Sequence, residues 1–400
     1  MKMSFLKNTK IPQILFLILV LSSCGKDKKT NTDNTSTTED TLPKMKPLGP
    51  EKRLTQAYLN SVTGRINHFY NKNWPNNTMN GSFLVARNGQ IIFERYNGYA
   101  NKNEDTKITA NTPLHIASVS KVLTATAVLK LVNAGKIDLD QKVNTILKTF
   151  PYPDCTVRML LSHRSGMRNY AYFTDRDKSV WDRHNQLTNK DILNILATKD
   201  IGLESKTGTR FSYCNTNYAM LALIIEKITG LTYKEAMTQM IFKPLGMTNT
   251  FVFDNEKDRK KIVPSYKGNG VEIGFDYLDC VYGDKNIYST PRDLLKFDRA
   301  RNAPGFLKPE LLKQVYTGYS NERKGTKNYG LGIRMINWDS GQNFYFHNGW
   351  WHGNTSSYIP LMKENVTIIA LSNKMTRNTY AVRKLAPIFG DYPFNFKDEE

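Results

Sequence analysis

Ser118-Val119-Ser120-Lys121 is the stretch of the chain best suited to nucleophilic chemistry. It opens an apolar run containing Val119, Val122, Leu123 and Leu129, and it follows the extended stretch Pro113-Leu114-His115-Ile116-Ala117. That spacing predicts a helix, and residues three apart on a helix lie side by side on one face. The Ser118 hydroxyl and the Lys121 amine would then be neighbours. A serine in the first turn sits at the positive end of the helix dipole, which favours a developing alkoxide. A lysine one turn into a buried helix loses hydration, which lowers its pKa toward that of a useful base. Ser-x-x-Lys also occurs at Ser4 with Lys7 and at Ser23 with Lys26, but both pairs lie in the leader.

Two further patterns complete a possible site. Tyr213-Cys214-Asn215 lies between Gly208-Thr209-Arg210-Phe211-Ser212 and a helix expected from near Asn217. A phenol beside a cationic lysine has a lowered pKa, so Tyr213 could take the Ser118 proton and pass it on. Asn215 could orient substrate and Lys121 through its amide. Tyr-x-Asn recurs at Tyr58, Tyr99 and Tyr319, in an expected amphipathic helix, just past an expected strand and in a charged loop. His347-Asn348-Gly349 ends an expected strand. Gly349 would let a substrate carbonyl approach the backbone. The next amide, Trp350 N–H, could pair with Ser118 N–H as an oxyanion hole.

Ser118-x-x-Lys121, Tyr213-x-Asn215 and His347-x-Gly349, in that order and at wide spacing, resemble the serine β-lactamase and penicillin-binding-protein superfamily. The branch most similar is that of class C β-lactamase-related hydrolases, which include esterases and D-stereospecific peptidases. Thr156 to Met167, Gly208 to Tyr218, Phe242 to Met247 and Tyr288 to Leu294 are similar to stretches common in that family. The resemblance covers about Ser82 to Asn373. It implies an acyl-enzyme on Ser118, with Lys121 and Tyr213 handling the proton and Asn215, His347, Gly349 and Trp350 lining the substrate site. The departure is His347, where β-lactamases usually carry a lysine. An unperturbed histidine is only partly charged at pH 7, which weakens the case for potent β-lactamase activity. The bulky Trp350-Trp351-His352 run would also reshape one wall of the cleft. Lys206-Thr207-Gly208 spells the third motif of many β-lactamases, but it precedes Tyr213 and reads as part of the turn before it.

The activities expected are, in order, esterase or amide hydrolase, D-amino-acid peptidase or carboxypeptidase, and β-lactamase. A protein of the same fold that binds cell-wall peptide without turnover is the alternative outside enzymology. The substrate is a small molecule or peptide. No cofactor is called for, and no His-Glu-x-x-His or other metal spacing occurs. The oligomeric state is left open.

The elements that must position these residues follow from periodicity. Leu54, Tyr58, Leu59, Val62, Ile66 and Phe69 have helical spacing over Arg53 to Tyr70. Asn88-Gly89 between two apolar runs predicts a hairpin. Ile116 to about Thr250 is mostly helical in pattern, as over Val119 to Val132 and Tyr218 to Ile228. Strand-like runs return at Tyr329 to Ile336, Asn343 to His347, Thr355 to Pro360 and Val366 to Leu371, and a helix is expected over Thr379 to Ile388. Strands from both ends with helices between them predict an α/β (α+β) fold of β-lactamase/transpeptidase type. It is one antiparallel sheet flanked by terminal helices, with an inserted, mainly helical region.

The N-terminus carries Lys2, Lys7 and Lys10 ahead of an apolar run from Ile11 to Leu21, too short for a stable membrane span. It ends Leu21-Ser22-Ser23-Cys24, which resembles a bacterial lipobox, with Cys24 receiving lipid as the mature N-terminus. Residues 1–23 thus read as a lipoprotein signal peptide, 24–50 as a disordered polar tether and 51–400 as the hydrolase domain. The expected location is the bacterial cell envelope, lipid-anchored and outside the cytoplasm. Cys155, Cys214 and Cys280 could pair two and leave one over, and no structural dependence on disulfides is expected. The 400 residues are 40% hydrophobic and 11% aromatic, enough for a large core. The formal net charge of +20 raises nucleic acid as a partner. The basic residues are scattered and no nucleic-acid-binding signature occurs, so that class is set aside.

Overall fold

The computed structural model describes Pro50, residues 53–322 and residues 325–394. The leader, Cys24 and almost all of the tether lie outside the described residues. Among the described residues no helix is long and apolar enough to cross a membrane.

A seven-stranded antiparallel sheet forms the frame. Its spatial order begins Lys327–Tyr329, Arg334–Asn337, Asn343–Trp351, and continues Asn354–Leu361, Val366–Ser372, Gly81–Arg87, Gln90–Asn97. The first and last parts of the chain thus meet where Gly81–Arg87 pairs with Val366–Ser372. The Asn88-Gly89 hairpin forms as expected, with both residues at positive φ, 55° and 84°, as a two-residue primed turn demands.

Both faces of the sheet are covered. Along Gly81–Arg87, Phe83 and Val85 face a core shared with Val62, Ile66 and Phe69 of the helix Gln56–Asn73 and with Val382 and Leu385 of the C-terminal helical turns. Leu84 and Ala86 face the larger core of the inserted helical region. Two-sided burial explains why this strand reads as a continuous apolar run rather than an alternation. The helix Gln56–Asn73 is capped by Thr55, whose side chain accepts from the Tyr58 amide.

At the centre of the inserted region the helix Ser120–Asn133 is buried all round, from Ser120 to Leu131. It packs against the helix Asn215–Thr229, which Gly230 ends in the left-handed conformation. Burial on every face makes Ser120–Asn133 a core helix, and Lys121 and Lys130 are carried into the core with it. The strand expected over Tyr329 to Ile336 is instead split. It ends at Tyr329, and a new strand starts at Arg334 and pairs back on it. Gly332, at φ 86°, lets the turn between them lie against the Ala125 side chain, where a Cβ would meet that methyl at 2.2 Å.

Candidate active site

Ser118 lies in a single 3-10 turn, Ala117–Val119, immediately ahead of the central helix, and Lys121 is the second residue of that helix. Ser118 is partly exposed while its neighbours on both sides are buried. Ala117 holds φ 47°, a left-handed conformation that costs an L-residue about 1–2 kcal/mol. Its amide is fixed by His115 Nδ1 at 3.0 Å. The turn thus presents the hydroxyl outward at some conformational cost, as functional turns do.

The Lys121 side chain is fully buried. Its Nζ donates to Ser118 Oγ at 3.1 Å and to the Asp284 carbonyl at 2.8 Å. The amine stands 5.1 Å from the centroid of the Tyr213 ring. The structure thus brings Ser118, Lys121 and Tyr213 into one cluster, with the hydroxyl and amine in direct contact. Among the described residues the Tyr213 phenol has no hydrogen-bond partner. Its ring is flanked on a second side by Arg334, whose Cζ is 4.5 Å from the centroid, and by the His163 ring at 4.4 Å.

His163 explains how the Tyr213 segment is held. Its carbonyl accepts the Ser212 amide at 2.9 Å, and its Nδ1 faces the Cys214 amide at 3.2 Å and Asn217 Nδ2 at 3.1 Å. Both neighbours are donors, so Nδ1 accepts and the ring is neutral. Burial first, then the charges of Lys121 and Arg334, keep its pKa well below the usual histidine range. Lys206-Thr207-Gly208 forms the turn ahead of this segment, with the Gly208 amide bonded to the Arg164 carbonyl at 2.8 Å.

Asn215 begins the helix Asn215–Thr229. Its Oδ1 is buried and has no hydrogen-bond partner among the described residues. No bond joins it to Lys121.

The strand Asn343–Trp351 borders the cluster. It pairs with Arg334–Asn337 only as far as Phe346, and beyond that its edge runs alongside the Ser118 turn. A Cβ on Gly349 would stand 2.7 Å from the Ile116 carbonyl oxygen and 2.8 Å from the Ser118 nitrogen, so this close approach requires glycine. The two-residue turn His352-Gly353 makes Trp351 and Asn354 the closing hydrogen-bonded pair. Antiparallel alternation then turns the Trp350 N–H away from the neighbouring strand, toward the free edge. The Trp350 side chain lies 56% exposed on the other face.

His347 is fully buried. Nε2 faces the Tyr329 hydroxyl at 3.1 Å and Nδ1 faces the Asn348 carbonyl at 2.9 Å. Both ring nitrogens are therefore occupied within the protein. Burial, Arg334 and Lys121 together push its pKa well below the ordinary value. The partial charge that the bare sequence suggests for this position is absent at neutral pH.

Arg334 escapes the motif pattern but stands over the Tyr213 ring, on the border of the cluster. Its guanidinium has no carboxylate partner among the described residues. It also lines a cavity of about 660 Å³ with Arg210, Phe211, Lys327 and Asn328. The signal that could have found it is an isolated arginine inside an otherwise apolar strand pattern. Asp284, Tyr329 and His163 were likewise invisible as site residues, because their roles arise from contacts distant in sequence.

Among the described residues one group, Asp276, Asp279 and His352, has metal-type ligand atoms within 4.8 Å of one another. His352 Nε2 already contacts both Asp279 oxygens, at 3.1 and 3.2 Å, and Trp351 Nε1 donates to the same carboxylate at 2.8 Å. These contacts pair His352 with Asp279, and Asp276 Oδ1 accepts the Leu278 amide at 2.7 Å. Cys155, Cys214 and Cys280 are free thiols.

Comparison with known proteins bears on the family and the fold. The beta-lactamase family model matches residues 76–389. The chain is 29% identical over 318 residues to "Penicillin-binding protein 4*" of Bacillus subtilis (strain 168), covering 75% of this chain and 69% of that protein. It is 29% identical over 224 residues to "Teichoic acid D-alanine hydrolase" of Staphylococcus aureus, covering 54% of this chain and 53% of that one. It thus spans only about half the length of that relative. The penicillin-binding protein from Bacillus halodurans superposes with a TM-score of 0.70 at 24% identity, over 80% of this chain and 98% of that chain. A D-stereospecific amidohydrolase from Streptomyces sp. superposes at 0.60 and 21% identity, over 82% and 98%. The chain belongs to the beta-lactamase family and is a serine hydrolase of that family.

Proposed function

We propose that the protein is an exported, lipid-anchored hydrolase that cleaves ester or amide bonds through an acyl-enzyme on Ser118. The observation that carries this reading is the 3.1 Å contact between a fully buried lysine amine and a partly exposed serine hydroxyl. Lys121 takes the Ser118 proton as the oxygen attacks the carbonyl. The amides of Ser118 and Trp350 receive the oxyanion. Tyr213, beside the amine, gives its proton to the leaving group and regains one from Lys121. Water then attacks the acyl carbonyl, and the proton it loses to Lys121 is returned to Ser118 as the acyl chain leaves. Asn215, whose buried Oδ1 has no partner among the described residues, is the residue assigned to accept an N–H from the acyl portion of a substrate. His347 supports the strand rather than gripping the substrate, and Arg334 supplies the positive charge at the cleft.

The substrate class that fits best is a D-alanyl ester or amide of envelope material. Two relatives support it by their names, a teichoic acid D-alanine hydrolase and a D-stereospecific amidohydrolase. The unpaired Arg334 favours a second reading, a substrate that ends in a carboxylate, as for a D-peptidase. Export rests on the Lys2-to-Cys24 leader. Replacing Cys24 by alanine should release the protein from membranes in cells.

The test is turnover by pure protein of a D-alanyl ester, a D-Ala-D-Ala peptide and a chromogenic cephalosporin, with Ser118→Ala as control. Ester or amide cleavage lost in the control supports the proposal. A cephalosporin turned over faster than both other substrates would reassign the activity.

A further inference from the structure

Three consecutive buried residues, Asp284, Lys285 and Asn286, each reach a different part of the site. The Asp284 carbonyl accepts from Lys121 Nζ at 2.8 Å. Asn286 Oδ1 faces His115 Nε2 at 3.0 Å, and the other nitrogen of that ring holds the Ala117 amide, one residue before Ser118. Lys285 Nζ lies 4.6 Å from the centroid of the Trp351 ring, the residue after Trp350.

Lys285 stands out because a lysine with 3% exposure is expensive to bury without partners. Its partners are arranged in series. Nζ donates to the Val281 carbonyl at 3.1 Å and to the Tyr170 hydroxyl at 2.8 Å. That hydroxyl donates to Asp284 Oδ2 at 2.8 Å. The ammonium itself is 3.8 Å from Asp284 Oδ1, which has no hydrogen-bond partner of its own among the described residues. The amine, the phenol and the carboxylate thus fix the orientation of Asp284, whose carbonyl in turn fixes Lys121. The same ammonium sits against the strand that carries the Trp350 amide.

We propose that Lys285 is a positioning residue for acyl transfer, locking the Asp284 carbonyl against Lys121 and bracing the Trp350-Trp351 end of the strand through one buried contact set. This rests on the reading of Ser118 and Lys121 given above. The groups facing Lys285 are Asp284 on its own segment, Asp276 and Asp279 from the preceding turn, Tyr170, Trp351 and Lys121. Those facing Lys121 are Ser118, Tyr213, Tyr218, His163, His347 and Arg334. Loss of the Lys285 ammonium removes the cation beside Asp284 Oδ1 and the donor to the Tyr170 hydroxyl, so the Asp284 segment is freed and its carbonyl no longer holds Lys121 Nζ in place.

The test uses the full chain with Lys285→Met, which removes the charge at similar volume, and Tyr170→Phe, which removes only the bridging hydroxyl. Acylation of Ser118 by a p-nitrophenyl ester is followed per active site. Lys285→Met should acylate about tenfold more slowly, as expected for a displaced base. KM should stay within about twofold while the rate falls, a split that a general loss of structure would not give. Tyr170→Phe should change in the same direction by less. Folded variants that acylate at the wild-type rate would overturn the proposal, and if Lys285→Met does not fold, Tyr170→Phe decides alone. A wild type that takes no acyl group sinks the acyl-transfer reading itself, whereas a wild type that acylates and variants that match it sink only the role of Lys285.

Discussion

The Tyr329 hydroxyl and His347 Nε2 lie 3.1 Å apart, and that contact fixes the protonation of the third motif. The Asn348 carbonyl beside Nδ1 can only accept, so Nδ1 carries the proton and Nε2 accepts from the phenol. The imidazole is a neutral spacer between two strands, not a cation facing the cleft.

Neutral buried histidines make stability depend on pH in a definite direction. Burial holds His347 and His163 well below the ordinary value and lowers His115 to about 4. Above pH 6.5 neither the folded nor the unfolded chain protonates these rings. Below it the unfolded chain gains protons and the folded chain does not, so stability falls by about 1.4 kcal/mol per pH unit for each histidine until its folded pKa is reached. Urea unfolding at pH 7.5 and pH 5.5 should show a marked loss at the lower pH, and His347→Gln should make that loss smaller. An equal loss in wild type and variant would show that His347 is already protonated in the folded state.

Gly349→Ala should abolish most activity while leaving the fold in place. The added methyl would meet Ser356 Oγ at 2.4 Å, the Ile116 carbonyl oxygen at 2.7 Å and the Ser118 nitrogen at 2.8 Å. The backbone of the Ser118 turn cannot move aside as a flexible side chain would, so the turn and the strand must separate. A displacement of that kind costs about 100-fold in rate, against a stability loss of about 1–3 kcal/mol. Acylation rates and thermal unfolding of the variant check both figures.

These two cases show what the sequence could and could not reveal. Ser118 and Lys121 were legible because their contact is local, set by one turn of helix. The Asn88-Gly89 hairpin was legible for the same reason. The Tyr329 to Ile336 run misled, because its glycines make a tight turn where the apolar pattern reads as one strand. Asp284 reaches Lys121 across 163 positions and Tyr329 meets His347 only through the sheet register, so neither role leaves a local signature. The burial that silences His347 is likewise a property of the packed sheet.

Arg334→Gln should separate anionic from neutral substrates. The guanidinium over Tyr213 has no carboxylate partner among the described residues, so its charge is free for a ligand. The variant should raise KM about tenfold or more for substrates with a carboxylate or phosphate beside the reacting bond, the scale of a lost charge-assisted pair. KM for a neutral ester should hardly change. An equal rise for both would mean that Arg334 supports Tyr213 rather than the substrate.

Every step of the proposed reaction starts from one alcohol, Ser118 Oγ. Intact-mass measurement with peptide mapping, after brief exposure to an acylating ester, tests this most directly. One acyl group is expected on the peptide containing Ser118, none on Ser118→Ala, and a much slower gain on Lys121→Ala. An acyl group on another residue at the wild-type rate, or ester turnover undiminished in Ser118→Ala, would contradict the proposed reaction.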